Sequence, residues 1–213
     1  MVNKRIAIIG SGDLGQSIAH YGKSNGYSIV GFYDDFQQAE SVCGIPVLGK
    51  LDRIVDDYTK GGYDALLCGI GYKHFGFRES VYQKYEIENH IPFATIIDKS
   101  CHVDPTATIG DGTVLFPGVF LDKGVTLEEN VLLNVCVTIA HDSTVKAHSF
   151  LSPRVAMAGF SIVGKRCMIG INSTIIDNIT ICDDVRIGGG NLVIKDIDKP
   201  GLYVGNPVKW IKE

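Results

Sequence analysis

The sequence predicts two parts of different fold class: a small α/β domain over residues 1–97, and an all-β left-handed parallel β-helix over residues 98–213. Patterns typical of strands and helices alternate up to residue 97, and from Val103 to Val193 every sixth residue is a large aliphatic. Sixteen such residues in succession cannot form one helix stripe, because six is not a multiple of 3.6. A six-residue period is the signature of a parallel β-helix, in which each rung places one side chain inside.

The first 97 residues alternate strand and helix at a pace typical of a three-layer parallel α/β sheet. Short apolar runs predict strands over residues 4–9, 27–33, 46–48, 64–69 and 93–97. The segments between them predict helices over residues 16–25, 51–58 and 75–89. The domain is about half the size of a full dinucleotide fold, so we expect a single mononucleotide-binding unit.

A glycine-rich turn joins the first predicted strand to the first predicted helix. Gly10, Ser11 and Gly12 begin a G-x-G-x-x-G pattern that ends at Gly15. In this context the glycines let a phosphate approach the backbone, and the helix N-terminus attracts the anion. Gly10, Ser11 and Gly12 are therefore predicted to bind a nucleotide. The alternative is a tight turn without a ligand, which the carboxylate of Asp13 favours unless it points away.

Two acidic residues, Asp34 and Asp35, end the second predicted strand, about 20 residues after Gly15. In a dinucleotide fold, an acid at this place binds the ribose. Both are predicted nucleotide-binding residues. Because neighbours at a strand end point to opposite sides, the pattern leaves open which of the two faces the ligand.

The six-residue period organises the rest of the chain. Two residues before each large aliphatic lies a smaller inward side chain, such as Val119, Ser143 or Cys167, so that stacked coils interdigitate. Three rungs close a triangular coil of about 18 residues, which predicts roughly five coils. Coils of this kind wind left-handed, an exception to the usual crossover rule. The tail after the last coil is expected to end in a short turn or helix.

A histidine followed by a carboxylate stands out in the β-helix. His141 is a candidate general base, and Asp142 would steady its imidazolium. Gly159 comes three rungs later, one coil above at the same corner, where its N–H would face an oxyanion. Asn134, one rung earlier, is expected to hold an amine or amide nearby. The alternative for His141 is a solvated corner residue. His148 is another candidate, but it has no carboxylate neighbour, so the sequence leaves its role open.

Composition excludes several classes of partner. A net charge of −4 and a pI near 5.8 argue against nucleic acid. No segment approaches the roughly 18 apolar residues of a membrane span, and the N-terminal apolar run is too short for a signal peptide. The six cysteines are scattered with no C-x-x-C pattern, which predicts free thiols in the cytoplasm and no metal site.

The combination of motifs resembles a known family. The short nucleotide-binding domain, His-Asp, A-M-A-G, I-G-G-G-N-L-V-I-K-D and V-G-N-P-V-K together resemble bacterial nucleotide-linked 4-amino-sugar N-acetyltransferases of the bacillosamine and perosamine type. Their superfamily includes sialic acid O-acetyltransferases, and the resemblance covers all 213 residues. It implies an acetyl-CoA-dependent enzyme that acetylates the amine of a nucleotide-linked 4-amino-4,6-dideoxy sugar in bacterial surface glycan biosynthesis, such as that of lipopolysaccharide or O-antigen.

The resemblance also implies roles for single residues. His141 would deprotonate the amine, Asp142 would orient it, Gly159 would donate to the oxyanion, and Asn134 would lie near the amine. Asp35 rather than Asp34 would contact the nucleotide. Acetyl-CoA would lie in a groove between the β-helices of a homotrimer, along a set of four residues: Gly159, Gly170, Gly188 and Pro207.

Two departures from the family affect the acceptor side of the site. Relatives often have a G-G-H turn where this chain has Gly12-Asp13-Leu14, and many carry a second histidine where this chain has Phe150.

Two other interpretations stay open: an O-acetyltransferase of a sialic acid-like sugar, and a non-catalytic nucleotide-sugar-binding trimer. The intact His141-Asp142 pair favours an enzyme, and the lack of a cysteine beside it favours direct transfer. The base, whether of UDP, dTDP or GDP, is left open.

Overall fold

The computed structural model describes residues 4–212, and the chain divides into two compact units between Ile96 and Ile97. Each unit has its own buried apolar core. The outer limits of the predicted domains, at residues 1 and 213, lie outside the described residues. The two units are described in turn.

The N-terminal unit is built on a largely parallel sheet. Its strands are β1 Arg5–Ile9, β2 Ser28–Tyr33, β3 Ser41–Val42, β4 Ile45–Gly49 and β5 Ala65–Cys68. They lie in the order β3-β4-β2-β1-β5, with β1 parallel to both β2 and β5. The β3–β4 pair is an antiparallel hairpin that the sequence pattern did not predict. The central strands are buried because helices cover the sheet, as expected for parallel pairing.

The helices of this unit differ in extent from the prediction. They are α1 Asp13–Ser24, α2 Ile54–Thr59, which follows a 3-10 turn at Leu51–Arg53, and α3 Phe75–Tyr82, which continues as a π-helical segment at Gln83–Glu88. The predicted helix over residues 75–89 is therefore α-helical only in its first half.

The predicted strand over residues 93–97 is also wrong in detail. Phe93 forms a single bridge to Leu66, and only Ile96–Ile97, called β6, is a strand. The pairing with β5 consists of two backbone bonds, from the Leu66 amide to the Pro92 carbonyl and from the Ala94 amide to the Leu66 carbonyl.

The C-terminal unit consists mainly of two- and three-residue strands that repeat every six residues. The strands are β7 His102–Val103, β8 Thr108–Ile109, β9 Val114–Leu115, β10 Phe120–Leu121, β11 Thr126–Leu127, β12 Leu132–Leu133, β13 Thr138–Ile139, β14 Thr144–Val145, β15 Phe150–Leu151, β16 Ala156–Met157, β17 Ile162–Val163, β18 Met168–Ile169, β19 Thr174–Ile175, β20 Thr180–Ile181, β21 Val185–Ile187, β22 Leu192–Val193, β23 Gly201–Val204 and β24 Lys209–Lys212.

Each of the repeating strands pairs in parallel with the strand three rungs away, which confirms a coil of three rungs. Leu121, for example, pairs with both Val103 and Ile139. Three sheets result: the first runs from β7 by threes to β22, the second from β8 to β20, and the third includes β9 to β21 and the tail. The large aliphatic residues and the smaller partners two positions before them fill the interior.

The corners of the coil share one backbone conformation. Every sixth residue from Gly112 to Gly190 has a positive φ, and most of these residues are not glycine. A left-handed conformation costs a side-chain-bearing residue about 1 kcal/mol. The amide of such a residue donates to the coil below, as from Asp142 to the Lys123 carbonyl at 2.9 Å and from Phe160 to the His141 carbonyl at 3.1 Å, which offsets this cost.

The tail forms strands, so the expectation of a turn or helix is wrong. β23 extends the third sheet in parallel with β21, and β24 pairs with β23 in antiparallel orientation. The last coil would otherwise present unpaired backbone groups at its edge, and β23 satisfies them.

Candidate active site

His141 and Asp142 form a hydrogen-bonded pair at one corner of the β-helix. His141 Nδ1 lies 3.0 Å from Asp142 Oδ2. Asp142 occupies the left-handed corner position, with φ of 57°, and its amide is bonded to the coil below. This backbone geometry turns the carboxylate toward the preceding ring. The side chains are 43% and 35% exposed respectively, so the pair is accessible.

The pairing determines which nitrogen of His141 is available for chemistry. A neutral ring with its proton on Nδ1 donates to Asp142 and leaves the lone pair on Nε2. Within residues 4–212, Nε2 takes part in no hydrogen bond. His141 can therefore accept a proton at Nε2 while Asp142 stabilises the imidazolium.

Gly159 lies against the His141 ring, as its offset of one full coil predicts. A Cβ at this position would be 2.7 Å from Cε1 and 2.8 Å from Nε2 of His141, so any larger residue would push the ring out of this position. Its carbonyl accepts from the Asn178 amide, whereas its own N–H donates to no acceptor among the described residues. An unused amide beside a free imidazole nitrogen is the donor that a developing oxyanion requires.

Two residues at this corner were missed by the sequence analysis. Lys123 Nζ lies 3.8 Å from Asp142 Oδ2, and the Phe160 ring meets the edge of the His141 ring at 5.0 Å between centroids. Lys123 lies one coil before His141, and Phe160 lies one coil after Asp142. The same offset that located Gly159 would have located both.

Other predicted site residues lie at a different corner of the same chain. Asn134 follows β12, and Gly170 follows β18, so both lie where the third sheet passes to the first. His141 and Gly159 instead lie where the first sheet passes to the second. The Asn134 Oδ1 accepts from the Val135 amide at 2.8 Å. One chain alone thus does not bring Asn134 to His141.

Three of the residues predicted to bind acetyl-CoA lie outside the His141 corner, and at two of them packing explains why the residue is glycine. A Cβ on Gly170 would lie 2.4 Å from the carbonyl carbon of Gly188, so the stacked coils require glycine there. Gly188 is in turn crowded by Asn191 and Val204. Pro207 is exposed and follows a cis peptide bond from Asn206. Coenzyme binding by these residues stays a prediction.

His148 is part of the interior and not of the accessible site. It is 5% exposed, and its Nδ1 lies 3.1 Å from Nδ2 of the fully buried Asn130. Because an amide nitrogen only donates, this Nδ1 is the acceptor and the proton lies on Nε2. His148 therefore has a structural partner at a third corner, away from His141.

The glycine-rich turn of the N-terminal unit borders a cavity of about 370 Å³. Its lining includes Gly10 and Gly12 from the turn, Asp34 and Asp35 from the end of β2, and a set of residues that the sequence analysis did not single out: Ile9, Tyr33, Phe36, Leu51, Gly69, Ile70, Gly71, His74 and Phe77. The turn and the two acids are thus brought together. No local pattern in the sequence marks the apolar residues.

The turn is shaped by tight contacts of its glycines. Gly10 has φ of 94°, and a Cβ on Gly15 would lie 2.0 Å from the Gly10 carbonyl oxygen. Gly12, which precedes α1, would have no atom within 4 Å of a Cβ, so packing leaves open space beside it. Ser11 is 3% exposed and does not line the cavity. Its amide and hydroxyl both donate to Asp34 Oδ2, and nucleotide binding by Ser11 stays a prediction.

Asp34 is engaged by protein donors on both oxygens. Oδ2 accepts from the Ser11 amide at 2.8 Å and from its hydroxyl at 2.7 Å, and Oδ1 accepts from the Phe36 and Gln37 amides. Partial burial by itself would raise the pKa of Asp34, but these donors outweigh it and hold the pKa below its usual range. The Asp34 carboxylate thus joins the glycine turn to the backbone of the loop after β2 by hydrogen bonds, a role called a clamp below.

Asp35 is exposed and less engaged. Its Oδ1 accepts from the Leu51 amide at 2.9 Å, and its Oδ2 has no partner among residues 4–212. The carboxylate lines both the main cavity and an adjacent one of about 310 Å³. Of the two acids, Asp35 has the oxygen that remains available to a ligand.

Other features bear on the chemistry. No helix of residues 4–212 is long and apolar enough to cross a membrane. In the same residues, no group of three or more histidine, cysteine or acidic side chains is placed to hold a metal ion. A cavity of the C-terminal unit, about 820 Å³, is lined by residues such as Asp184, Arg186 and Lys212, and none of the predicted site residues lines it.

Residues 5–85 match the family model of the PglD N-terminal domain. A UDP-3-O-acylglucosamine N-acyltransferase of Bordetella avium is 32% identical over 102 residues, which is 46% of this chain and 28% of that protein. The corresponding protein of Herminiimonas arsenicoxydans is 31% identical over a segment of the same length. This chain thus spans under a third of the length of these curated relatives.

Solved structures match almost the whole chain. The acetyltransferase domain of PglB from Neisseria gonorrhoeae is 25% identical, with a TM-score of 0.89 over 98% of this chain and 100% of that one. PerB from Caulobacter crescentus, solved with CoA and GDP-perosamine, is 24% identical, with a TM-score of 0.90 over 99% and 98%. The resemblance and the fold class inferred from the sequence are confirmed: residues 5–85 are similar to the PglD N-terminal domain, and the whole chain shares the fold of these acetyltransferase structures, a short α/β region followed by a left-handed parallel β-helix.

Proposed function

We propose that this protein is an acetyl-CoA-dependent N-acetyltransferase that acts on the amine of a nucleotide-linked 4-amino-4,6-dideoxy sugar. The single observation that carries the proposal is the His141–Asp142 pair seated on Gly159, where a free Nε2 adjoins an unused amide. A base and an oxyanion donor side by side are what acyl transfer from a thioester needs.

The comparisons support this choice of substrates. The relatives include an acetyltransferase domain, an N-acyltransferase named for a UDP-linked amino sugar, and a protein solved with CoA and a GDP-linked amino sugar. The N-terminal cavity, with its glycine turn and Asp35, offers a place for the nucleotide. A nucleotide site favours this function over acetylation of a free sialic acid-like sugar.

The chemistry is a direct transfer between two bound substrates. His141 Nε2 takes a proton from the sugar amine as the nitrogen forms a bond to the thioester carbonyl carbon. The Gly159 N–H donates to the carbonyl oxygen as it gains negative charge, and Asp142 stabilises the imidazolium. The carbon–sulfur bond then breaks, and His141 returns the proton to the leaving thiolate. The amide and free coenzyme A are the products.

We propose a homotrimer as the active form. Asn134, Gly170 and Gly188 lie at a corner other than that of His141, so a groove containing all of them needs two chains. A heterologous interface closes into a ring when copies are related by a threefold axis. Light scattering should give three times the chain mass, and a stable monomer at micromolar concentration would contradict it.

The cellular setting follows from the same chemistry. Acetyl-CoA and nucleotide sugars are cytoplasmic metabolites, and the six cysteines are free thiols, as a reducing compartment allows. The product sugar would serve bacterial surface glycan synthesis, such as that of lipopolysaccharide or O-antigen. A non-catalytic scaffold would not need the intact His141–Asp142 pair.

The decisive experiment offers 4-amino sugars linked to UDP, dTDP and GDP, with acetyl-CoA, and follows release of the free thiol. We expect turnover with one of them, and thermal stabilisation by the same sugar nucleotide when acetyl-CoA is left out. Acetylation of a free sugar at a hydroxyl, without a nucleotide requirement, would support the O-acetyltransferase. No turnover and no stabilisation with any acceptor would contradict the proposal.

A further inference from the structure

Phe36 is unusual in its exposure. It is 88% exposed, the largest fraction of any large apolar side chain in residues 4–212. The residue does not belong to an unsupported loop, because its amide donates to Asp34 Oδ1 at 3.0 Å. Asp34 is in turn bonded to Ser11 of the glycine turn. Through Asp34, the glycine turn therefore holds the backbone from which the Phe36 side chain extends.

The cavity beside Phe36 has a mixed lining that matches the parts of a nucleoside diphosphate. Gly10 and Gly12 both line the cavity, and Gly12 has open space beside it next to the N-terminus of α1, a helix of 12 residues. Asp35 offers a carboxylate oxygen for hydroxyl or ring N–H donors. Phe36 and Phe77, the latter 48% exposed, offer apolar faces. Pyrophosphate, ribose and base each find a suitable group there.

The three consecutive residues after β2 then have distinct tasks. Asp34 has both oxygens bonded to protein donors, so it serves as a positioning residue for Phe36 and for the turn. Asp35 keeps one oxygen for the ligand. A flat aromatic ring beside them is suited to a base, because every nucleobase has a π face that stacks on phenylalanine.

We propose that Phe36 is the residue on which the nucleobase of the acceptor substrate stacks, with Phe77 as the second apolar wall. The inference rests on the proposed function, since it concerns the acceptor nucleotide, and it adds the part of the site that holds the base. Stacking accepts any base, so Phe36 contributes affinity for the nucleotide, while groups at the base edge choose among bases.

The test is calorimetric binding of UDP, dTDP and GDP to the full-length protein, with the tightest of the three used as the probe. Phe36→Ala should weaken the probe about 5- to 100-fold, the range seen when a stacking aromatic is removed. Phe36→Trp should bind close to wild type because it restores the stacking surface. Phe120→Ala, which removes a 39% exposed ring from the β-helix, is the matched control and should bind as wild type.

The outcomes separate the two proposals. Since Phe36 is exposed, its alanine variant should keep the thermal midpoint of the wild type, so weaker binding will not reflect unfolding. Wild-type binding of a nucleotide with equal affinity in Phe36→Ala would overturn the stacking role and leave the proposed function standing. Failure of the wild type to bind any of the three nucleotides would overturn both.

Discussion

The His141 corner and the N-terminal cavity are built in opposite ways. At the corner, Lys123, His141 and Gly159 lie one above another because each is one full coil from the next. In the cavity, the glycine turn, the end of β2 and the N-terminus of α3 meet only through the packing of the sheet. A periodic site can be located by counting, whereas a convergent one needs the fold.

The difference extends to how rigidly each site is held. The amides of the left-handed corner residues Asp142 and Phe160 donate to carbonyls of the coil below. The backbone of His141 is therefore held by the same hydrogen bonds that recur at every coil. The cavity depends on single contacts such as those from Ser11 to Asp34. Substitutions at the corner should therefore affect chemistry, and substitutions in the cavity should affect affinity or local stability.

The largest effect is expected for His141→Asn. Loss of the general base should lower kcat about 10²- to 10⁴-fold, while the fold and coenzyme binding stay nearly intact. Steady-state kinetics over a range of pH will measure it. His102→Ala, which removes another exposed β-helix histidine that stacks on Phe120, is the control. A near wild-type kcat at every pH would show that His141 is not the base.

Gly159→Ala should come next. Its methyl carbon would lie 2.7 Å from the His141 ring, so the ring must move. A displacement of about 1 Å at a catalytic group can cost roughly 10²-fold in rate. We expect the fall in kcat to exceed any rise in the KM for acetyl-CoA, and the KM for the sugar nucleotide to change little. Gly76→Ala, where a Cβ meets no atom within 4 Å, should leave kcat unchanged. Equal kcat in both variants would remove Gly159 from the site.

Asp35→Ala tests the cavity. Loss of a hydrogen bond to a charged group should raise the KM for the sugar nucleotide about tenfold or more, and should spare acetyl-CoA. The measurement varies each substrate in turn. Asp34→Ala is expected to raise the same KM only indirectly, by releasing Ser11 and Phe36. Unchanged sugar-nucleotide KM in both variants would indicate that the N-terminal unit binds something else.

The smallest effect concerns pH and stability. Partial burial alone would raise the pKa of Asp34, but the hydrogen-bond donors around it outweigh burial and hold the pKa below its usual range. The folded protein therefore protonates Asp34 less readily than the unfolded chain does. The stabilisation is present above the unfolded pKa, near 4, and is lost as pH falls through the lower folded pKa. Because the carboxylate is only partly buried and water screens its charge, Asp34→Asn should cost about 1 kcal/mol at pH 7 and less below pH 4.

Chemical denaturation of the full chain at pH 7 and pH 3 will measure this difference. Asp111→Asn, at an exposed position of the β-helix, is the matched control because its side chain makes no hydrogen bond within the described residues and lies at no helix terminus. If Asp34→Asn and wild type differ by the same amount at both pH values, the carboxylate does not act through its charge.

The sequence predicted the contacts of His141 along the stacked coils better than its distance from Asn134. Counting by whole coils located Gly159 against His141, and the same count applied to Lys123 and Phe160 would have found them too. Asn134 was expected nearby because it is one rung earlier, but one rung is one corner away. The sequence shows the spacing along a coil, and only an assembly of chains can bring separate corners together.

The N-terminal site shows the opposite balance. The glycine turn and the two acids were predicted to lie together because such a turn and an acid after the second strand have a recognisable spacing on a βαβ unit, and the structure places them at one cavity. Which acid keeps an oxygen without a protein donor depends on distant segments. Ser11 donates to Asp34, and the Leu51 amide donates to only one oxygen of Asp35. The exposure of Phe36 likewise follows from no periodic signal. The tail hairpin was missed because it forms by pairing with the open edge of the last coil, and the six-residue period does not extend to it.

By itself, the sequence determined the β-helix, the three-rung coil and the pairing of His141 with Gly159. The physical reason is that a stacked interior imposes one rule on every rung, so a period in the residues becomes a distance in space. Only the tertiary structure decided that Asp34 is a clamp, that Asp35 keeps a free oxygen and that Phe36 borders the cavity. Those outcomes depend on contacts between segments with no shared period, which the chain makes only once it has folded.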